Sequence, residues 1–356
     1  MELISGLPDD VIRDCLIRVS YDQFPTIASV CKGWKAETEV PEFRRSRKAA
    51  GHSQKLIVMV QALFDLNKTS GTKSQSNLVF RLSVFEPDSG NWSELPWPPV
   101  PGSAGGLPMF CQLAGVGFDL VVMGGWDSIT WKASNSVFVY NFISASWRRG
   151  ADMPGGPRTF FACASDLDHM VYVAGGHDEE KNALRSAMAY DVARDEWVLL
   201  PSMGRERDEC KAIFHRGKII AVGGYSTEMQ GHFERSSEAF DISTWRWDPV
   251  KENFLDTAMC PRTYVDGDDQ TFFMCFGDDV VALKDSTWQL LAKLPNEIRN
   301  VAYVRTWQGK LLVIGSNGFG EPHMCFLLDL KNYTWKTFEM PENFTGHVQS
   351  GCFIEV

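Results

Sequence analysis

The sequence predicts a mostly β protein, a closed ring of six small sheets preceded by a short all-α segment. Three observations predict it. An aromatic repeat runs from about residue 85 to the C-terminus, apolar runs ending in glycine recur in step with it, and amphipathic-helix spacing is confined to the first fifty residues.

The repeat is carried by Trp92, Trp147, Trp197, Trp247, Trp288 and Trp335. Seven positions before each stands an apolar or aromatic residue: Phe85, Tyr140, Tyr190, Phe240, Val281 and Leu328. Three units are introduced by a run ending in Gly-Gly (VVMGG at 121–125, VYVAGG at 171–176, IIAVGG at 219–224), and two keep a decayed form, MCFGD at 274–278 and LVIGS at 312–316. Each unit reads as an apolar strand, a glycine turn that accepts positive φ, a variable loop, an aromatic strand, a tight turn and a strand opening with Trp. Four short antiparallel strands bury their faces only by stacking on the next sheet, which is the logic of a β-propeller. The tryptophans then belong to inter-sheet packing. The first unit lacks an innermost strand, and the terminal GHVQSGCFIEV resembles the innermost strands TFFACAS and ECKAIF. The C-terminus is therefore expected to complete the first blade and close the ring, leaving no open edge.

In the N-terminal segment, Val11, Ile12, Cys15, Leu16 and Val19, and then Phe24, Ile27, Ala28, Cys31 and Trp34, fall on helical faces, with Pro25 suited to a first turn. A helical domain of about 45 residues is marginal alone. A closed ring needs little cover, so the apolar surplus predicts a partner. The basic run RRSRK at 44–48 reads as a solvated helix end, and NKTSGTKSQSN at 67–77 as a flexible surface loop.

Composition narrows the function classes. A formal charge of -10 argues against a nucleic-acid binder. No secretory leader and no 18-residue apolar run occurs, so no membrane span is expected. Nine cysteines without a CxxC pair, mostly in apolar runs, suit reduced thiols and a cytoplasmic and/or nuclear setting, and the Asn-x-Ser/Thr sequons then carry no glycan.

The Gly-Gly, Tyr/Phe and Trp offsets resemble the kelch repeat, so residues 52–356 resemble one six-bladed kelch β-propeller closed by a C-terminal strand. LPDDVIRDCLIRV at 7–19, IASVCKGW at 27–34 and PEF at 41–43 resemble an F-box, which assigns residues 1–48 to a small all-α F-box domain. The pairing, with RERDECKA at 205–212, SAMAYDV at 186–192 and the terminal strand, is similar to the plant F-box/kelch-repeat proteins. That resemblance implies the substrate-recognition subunit of an SCF-type ubiquitin ligase. Leu7, Pro8, Val11, Ile12, Leu16 and Ile27 would meet a Skp-type adaptor, and through it cullin and RING subunits, while the propeller would bind a protein client. The branch it resembles implies phenylalanine ammonia-lyase or type-B cytokinin response regulators as candidate clients.

Arg158, Arg207, Arg262 and Arg299 precede the first glycine of their units (Gly175, Gly223, Gly277 and Gly315) by nearly constant offsets. Each therefore starts an innermost strand on one rim of the channel. Two readings stand side by side: a ring of guanidinium groups for an acidic client, which the kelch resemblance favours, or arginines hydrogen-bonded to blade carbonyls. Arg205, Glu206, Asp208 and Glu209 crowd Arg207 and suit an internal network. Trp126 and Trp131 sit in the loop WDSITWKASN, away from the packing offset, and are candidates for client contact or for folding back into the loop. The loops HDEEKN at 177–182 and YSTEMQGHFE at 225–234 are further recognition candidates.

No Walker, GxSxG or HExxH motif is present, and the histidines are scattered, so no catalytic residue, cofactor or metal site is expected. The alternatives are a non-degrading kelch scaffold that sequesters its partner and, less favoured, a kelch-fold metalloenzyme such as a galactose-oxidase-like copper protein or a specifier of glucosinolate breakdown.

Overall fold

The computed structural model describes residues 6–63, 79–99, 106–127, 130–267 and 271–356. The 67–77 insert lies outside the described residues. Four helices open the chain: α1 (Asp9–Leu16), α2 (Phe24–Val30), α3 (Lys32–Glu39) and α4 (Pro41–Ala49). Pro25 and Pro41 occupy first turns, where their missing N–H costs nothing. The strands follow from residue 55, so the division between helices and ring falls in a connection of residues 50–54.

Blade 1 contains β1 (Lys55–Ala62), β2 (Phe80–Glu86) and β3 (Asn91–Leu95). Blade 2 contains β4 (Gln112–Val116), β5 (Asp119–Met123), β6 (Val137–Asn141) and β7 (Ser146–Gly150). Blade 3 contains β8 (Ala162–Ser165), β9 (Met170–Ala174), β10 (Ala187–Asp191) and β11 (Glu196–Leu200). Blade 4 contains β12 (Lys211–His215), β13 (Lys218–Val222), β14 (Ser237–Asp241) and β15 (Arg246–Trp247). Blade 5 contains β16 (Val265–Asp266), β17 (Phe272–Phe276), β18 (Asp279–Lys284) and β19 (Thr287–Lys293). Blade 6 contains β20 (Asn300–Trp307), β21 (Lys310–Ser316), β22 (Met324–Asp329) and β23 (Trp335–Phe338). The last strand, β24 (Val348–Glu355), pairs antiparallel with β1 and supplies the innermost strand of blade 1. The ring is six-bladed and closed by the C-terminus.

The aromatic repeat is a cross-strand pairing. Phe85 faces Trp92, Tyr140 faces Trp147, Tyr190 faces Trp197 and Phe240 faces Trp247, with ring centroids 4.6, 5.1, 4.9 and 5.3 Å apart. Blade 5 departs from the expected offset. There Leu283, not Val281, faces Trp288, because Asp285 and Ser286 (φ 49° and 65°) close a tighter hairpin. Five of the six indole N–H groups then donate to the preceding blade: Trp147 to Pro96, Trp197 to Ala151, Trp247 to Pro201, Trp288 to Phe254 and Trp335 to Lys293. The double glycines serve close approach as well as positive φ. A Cβ on Gly176 would lie 2.4 Å from the Thr159 carbonyl, against which the next chain segment pairs.

Strand order gives the ring two unlike faces. One carries the segments that enter the inner strands and the loops between second and third strands; the other carries the tight turns. The helices seat on the turn face. Phe24 and Phe43 pack on Phe118 in the β4–β5 turn (5.7 and 5.9 Å), and Tyr21 packs on Phe142 after β6 while donating to Glu86 (2.9 Å). Arg44 bonds Asp168 in the β8–β9 turn (2.6 Å), and Lys48 bonds Glu355 (2.9 Å). Ile12, Leu16, Phe24, Ile27 and Phe43 share one continuous core with blades 1 and 2.

Two expectations are corrected here. The ring does use the helices as cover. The basic run is also not wholly a solvated end: Arg47 is fully buried, donating to the carbonyls of Ile17, Val19 and His52 and stacking on Phe24, because the C-terminal carbonyls of α1 need donors. Burial pushes its pKa down to about 10. The cysteines are all free, five of them buried, while Cys15 and Cys31 on the helices are exposed.

Deleting residues 1–50 uncovers Phe118, Phe142 and Ile143. Thermal unfolding of the remaining ring is expected at least about 5 °C below the full chain, with self-association. Equal melting temperatures would show that the ring stands alone.

Candidate functional site

The two ends of the molecule offer two unlike surfaces. On the helical end, α1 carries two stripes one residue apart. Leu7, Val11 and Cys15, at i, i+4 and i+8, point outward, with Leu7 47% and Val11 44% exposed and Pro8 exposed beside them. Ile12 and Leu16 point into the core, both 2% exposed, and Ile27 is buried with them. The expected adaptor set is thus divided: Leu7, Pro8 and Val11 are available to a partner, whereas Ile12, Leu16 and Ile27 are occupied by the shared core. Val30 (57%) and Val40 (42%) are exposed apolar groups of the same helical segment that the spacing argument did not single out. Arg13 clamps α1 to α3 through both oxygens of Glu37 (2.8 and 2.9 Å), so the outward stripe is held on a fixed scaffold.

On the loop face, the four arginines do start the innermost strands of their blades, but they divide into two pairs. Arg158 is buried and donates to the Gly175 carbonyl (3.2 Å) and Ser186 Oγ (2.9 Å). Burial pushes its pKa down to about 10. Arg207 is fully buried, donates to the carbonyls of Gly223 and Ser236 and to Ser236 Oγ, and pairs with Glu238 at 3.0 Å. These two fit the reading in which arginines tie the blade together. Around Arg207 the expected network is present: Arg205 bridges Glu234 and Glu252, and Glu209 accepts from Tyr225. Arg262 and Arg299 are exposed. The difference follows from the loop after the glycine motif. In blades 3 and 4 it is long and supplies carbonyls and serines; in blade 5 it shrinks to Gly277–Asp278 and offers Arg262 no such serine.

The tryptophans belong to a larger aromatic cluster. Trp131 is 65% exposed, and Trp126 is half-buried beneath it, 6.4 Å away between ring centroids. Trp126 also meets Phe110 (6.3 Å) and Phe160 (6.0 Å), and those two phenylalanines lie 4.8 Å apart. Phe110 and Phe160 adopt φ of 58° and 52°, a left-handed backbone that bulky side chains tolerate poorly. The fold holds two strained, half-exposed rings on this face beside the exposed indole. Sequence reasoning missed both, although they occupy the same offset before successive inner strands. Phe319, fully exposed in the blade 6 loop, had no periodic signal at all.

Beneath the cluster, Thr159 Oγ1, His177 Nε2, His177 Nδ1 and Asp208 Oδ2 form a line of 2.7 and 2.8 Å contacts. All three residues are buried, and the line joins blade 3 to blade 4 rather than opening on a substrate. At the closure seam, His323 Nε2 lies 3.4 Å from His347 Nδ1, and burial, followed by the neighbouring His347, pushes the pKa of His323 down to about 4. Among the described residues no group of three or more His, Cys, Asp or Glu side chains is placed to hold a metal ion.

Comparison with known proteins agrees with this two-ended layout. The Kelch motif model matches residues 112–154 and 157–204, and the F-box domain model matches residues 4–44. F-box/kelch-repeat protein At1g15670 of Arabidopsis thaliana is 51% identical over the full length of both chains, and F-box/kelch-repeat protein At1g80440 of the same plant is 49% identical, also over the full length of both. F-box/kelch-repeat protein At2g44130 of that species is 34% identical over 78% of this chain and 72% of its own.

Two outcomes test the geometry. Arg207→Met strands the Glu238 carboxylate in the core and should cost about 3–5 kcal/mol in denaturant unfolding, whereas Arg262→Ala and Arg299→Ala should stay within about 0.5 kcal/mol of the parent. His323, depressed when folded, is neutral in both states well above pH 6.5; as pH falls through 6.5 towards 4 the unfolded chain takes the proton first. Stability should therefore drop by about 2 kcal/mol more between pH 7 and pH 5 in the parent than in His323→Gln.

Proposed function

The chain belongs to the F-box/kelch-repeat family, and from that premise we propose that it is the substrate-recognition subunit of an SCF-type ubiquitin ligase, docking a Skp-type adaptor with its helices and a client protein with its propeller. The carrying observation is the opposition of the two surfaces. An outward apolar stripe (Leu7, Pro8, Val11) lies on the helices of the turn face, and an aromatic and basic surface (Trp126, Trp131, Phe110, Phe160, Phe319, Arg262, Arg299) lies on the loop face. A receptor contributes proximity, not bond chemistry: it holds client lysines near the activated ubiquitin, and a rigid mount keeps that distance fixed. The shared core and the Arg44–Asp168 and Lys48–Glu355 pairs supply such a mount.

The finer assignment rests on the sequence resemblance. Cullin and RING subunits are reached through the adaptor, the setting is cytoplasmic and/or nuclear, the client is degraded by the proteasome, and phenylalanine ammonia-lyase or a type-B response regulator is the client. On the loop face, recognition is assigned to the exposed aromatics first, with Arg262 and Arg299 pairing acidic groups at the edge; Arg158 and Arg207 support the blades beneath.

The test uses the full chain, because truncation would breach the core. Leu7→Asp with Val11→Asp should abolish co-purification with a Skp-type adaptor, at least about a hundredfold in affinity, without lowering the melting temperature, since both residues are exposed. Trp131→Ala with Phe319→Ala should weaken capture of purified phenylalanine ammonia-lyase or response regulator and leave the adaptor bound. An unmodified chain that captures client but no adaptor would turn the reading to a sequestering scaffold.

A further inference from the structure

The centre of the ring holds a partly open cavity of about 100 Å³, the room of a few water molecules, lined by the inner strands. On a chain of net charge -10, this cavity is locally positive. Lys211 at the start of β12 and Arg305 in β20 both line it, and Asp266 is the one carboxylate residue among its described lining. Neither cation is in an ion pair among the described residues. Arg305 Nε is buried without a hydrogen-bond partner, its guanidinium lying over Phe353 at 5.4 Å. Tyr303, only 7% exposed, lines the same cavity, and its hydroxyl is likewise unpartnered. Cys163 and Cys352 line it too, but burial raises both thiols, Cys163 to about 12, so they carry no counter-charge at neutral pH.

Two cations facing one narrow space repel each other and lose part of their hydration; water satisfies their donors but leaves the charge. Burial and then the nearby Arg305 push the Lys211 pKa down, the response of an ammonium short of counter-charge. An oxyanion would neutralise the excess and could accept from the Lys211 ammonium as well as from the two orphaned groups, Arg305 Nε and the Tyr303 hydroxyl. A carboxylate-sized or tetrahedral ion fits the volume. We propose that the central channel binds a small free oxyanion of the phosphate class, held by Lys211 and Arg305 with Tyr303 donating a third bond.

The experiment is thermal unfolding of the full chain in sodium phosphate against sodium chloride of matched ionic strength. Phosphate should raise the melting temperature saturably, by about 2–4 °C at ten times the half-saturating concentration. Lys211→Met should lose the rise and, in chloride, melt no lower than the parent, because two cations face the single Asp266 carboxylate and the change removes the excess positive charge. Arg305→Gln and calorimetric titration of the unmodified chain with phosphate keep the test open should Lys211→Met fail to fold. Absence of saturable binding in the unmodified chain, or an equal rise in both variants, would overturn the proposal. So would a Lys211→Met protein that folds but melts far below the parent in chloride, since channel water would then already satisfy the ammonium.

Discussion

The seating of Phe24 and Phe43 on Phe118 fixes what the rest of the molecule can do. These three rings join the helices to the turn face of blade 2 in one core, so the outward stripe of α1 has a single orientation relative to the ring. Arg47 makes the joint possible: it satisfies the carbonyls at the end of α1 and lays its guanidinium on Phe24, so polar backbone is buried without being left unpaired. Because the seat occupies the turn face, the loop face is left clear. The geometry of a two-partner protein follows from one aromatic contact and one buried cation.

Each blade repeats one solution with local variation, and the variation is where function enters. The indole-to-carbonyl bond recurs at five of the six blade boundaries. At the sixth, the closure seam, Trp92 Nε1 is buried without a partner and its ring packs on Phe344 instead. The chain there leaves β23 to begin the return to blade 1, so the outer-strand carbonyl used at other boundaries does not recur. Arg81 compensates, pairing with Glu94, donating to the Asn343 carbonyl and covering Phe344. The seam is held by different residues from those that hold the repeats, and buried His323 meets exposed His347 there.

The arginine positions show how one repeat offset acquires different roles. All four side chains begin at the entry to an inner strand, yet the ends of a loop some fifteen residues further on decide what the guanidinium meets: a glycine carbonyl and the serine before the third strand hold Arg158 and Arg207. Blades 3 and 4 enclose it and use it as an internal tie; blades 5 and 6 leave it in solvent. A buried guanidinium stabilises a blade through the partners its donors find: Arg207 has Ser236, Gly223 and Glu238 around it, whereas Arg158 leaves its Nε without one.

The sequence by itself determined the number of blades, their strand order, the C-terminal closure and the helical head. These depend on periodic apolar and glycine positions, and periodicity is a local property that burial rewards at every repeat. It located the F-box by residue type and spacing, and it put Trp126 and Trp131 on a loop. Tertiary structure alone decided which side of α1 faces outward, because Ile12 and Val11 are chemically alike and only the core shared with blades 1 and 2 tells them apart. It alone separated Arg262 and Arg299 from Arg158 and Arg207, since enclosure depends on a distant loop. It also brought Phe110 and Phe160 together and gathered Lys211, Arg305 and Tyr303 around one channel; residues of different blades become neighbours only when the ring closes.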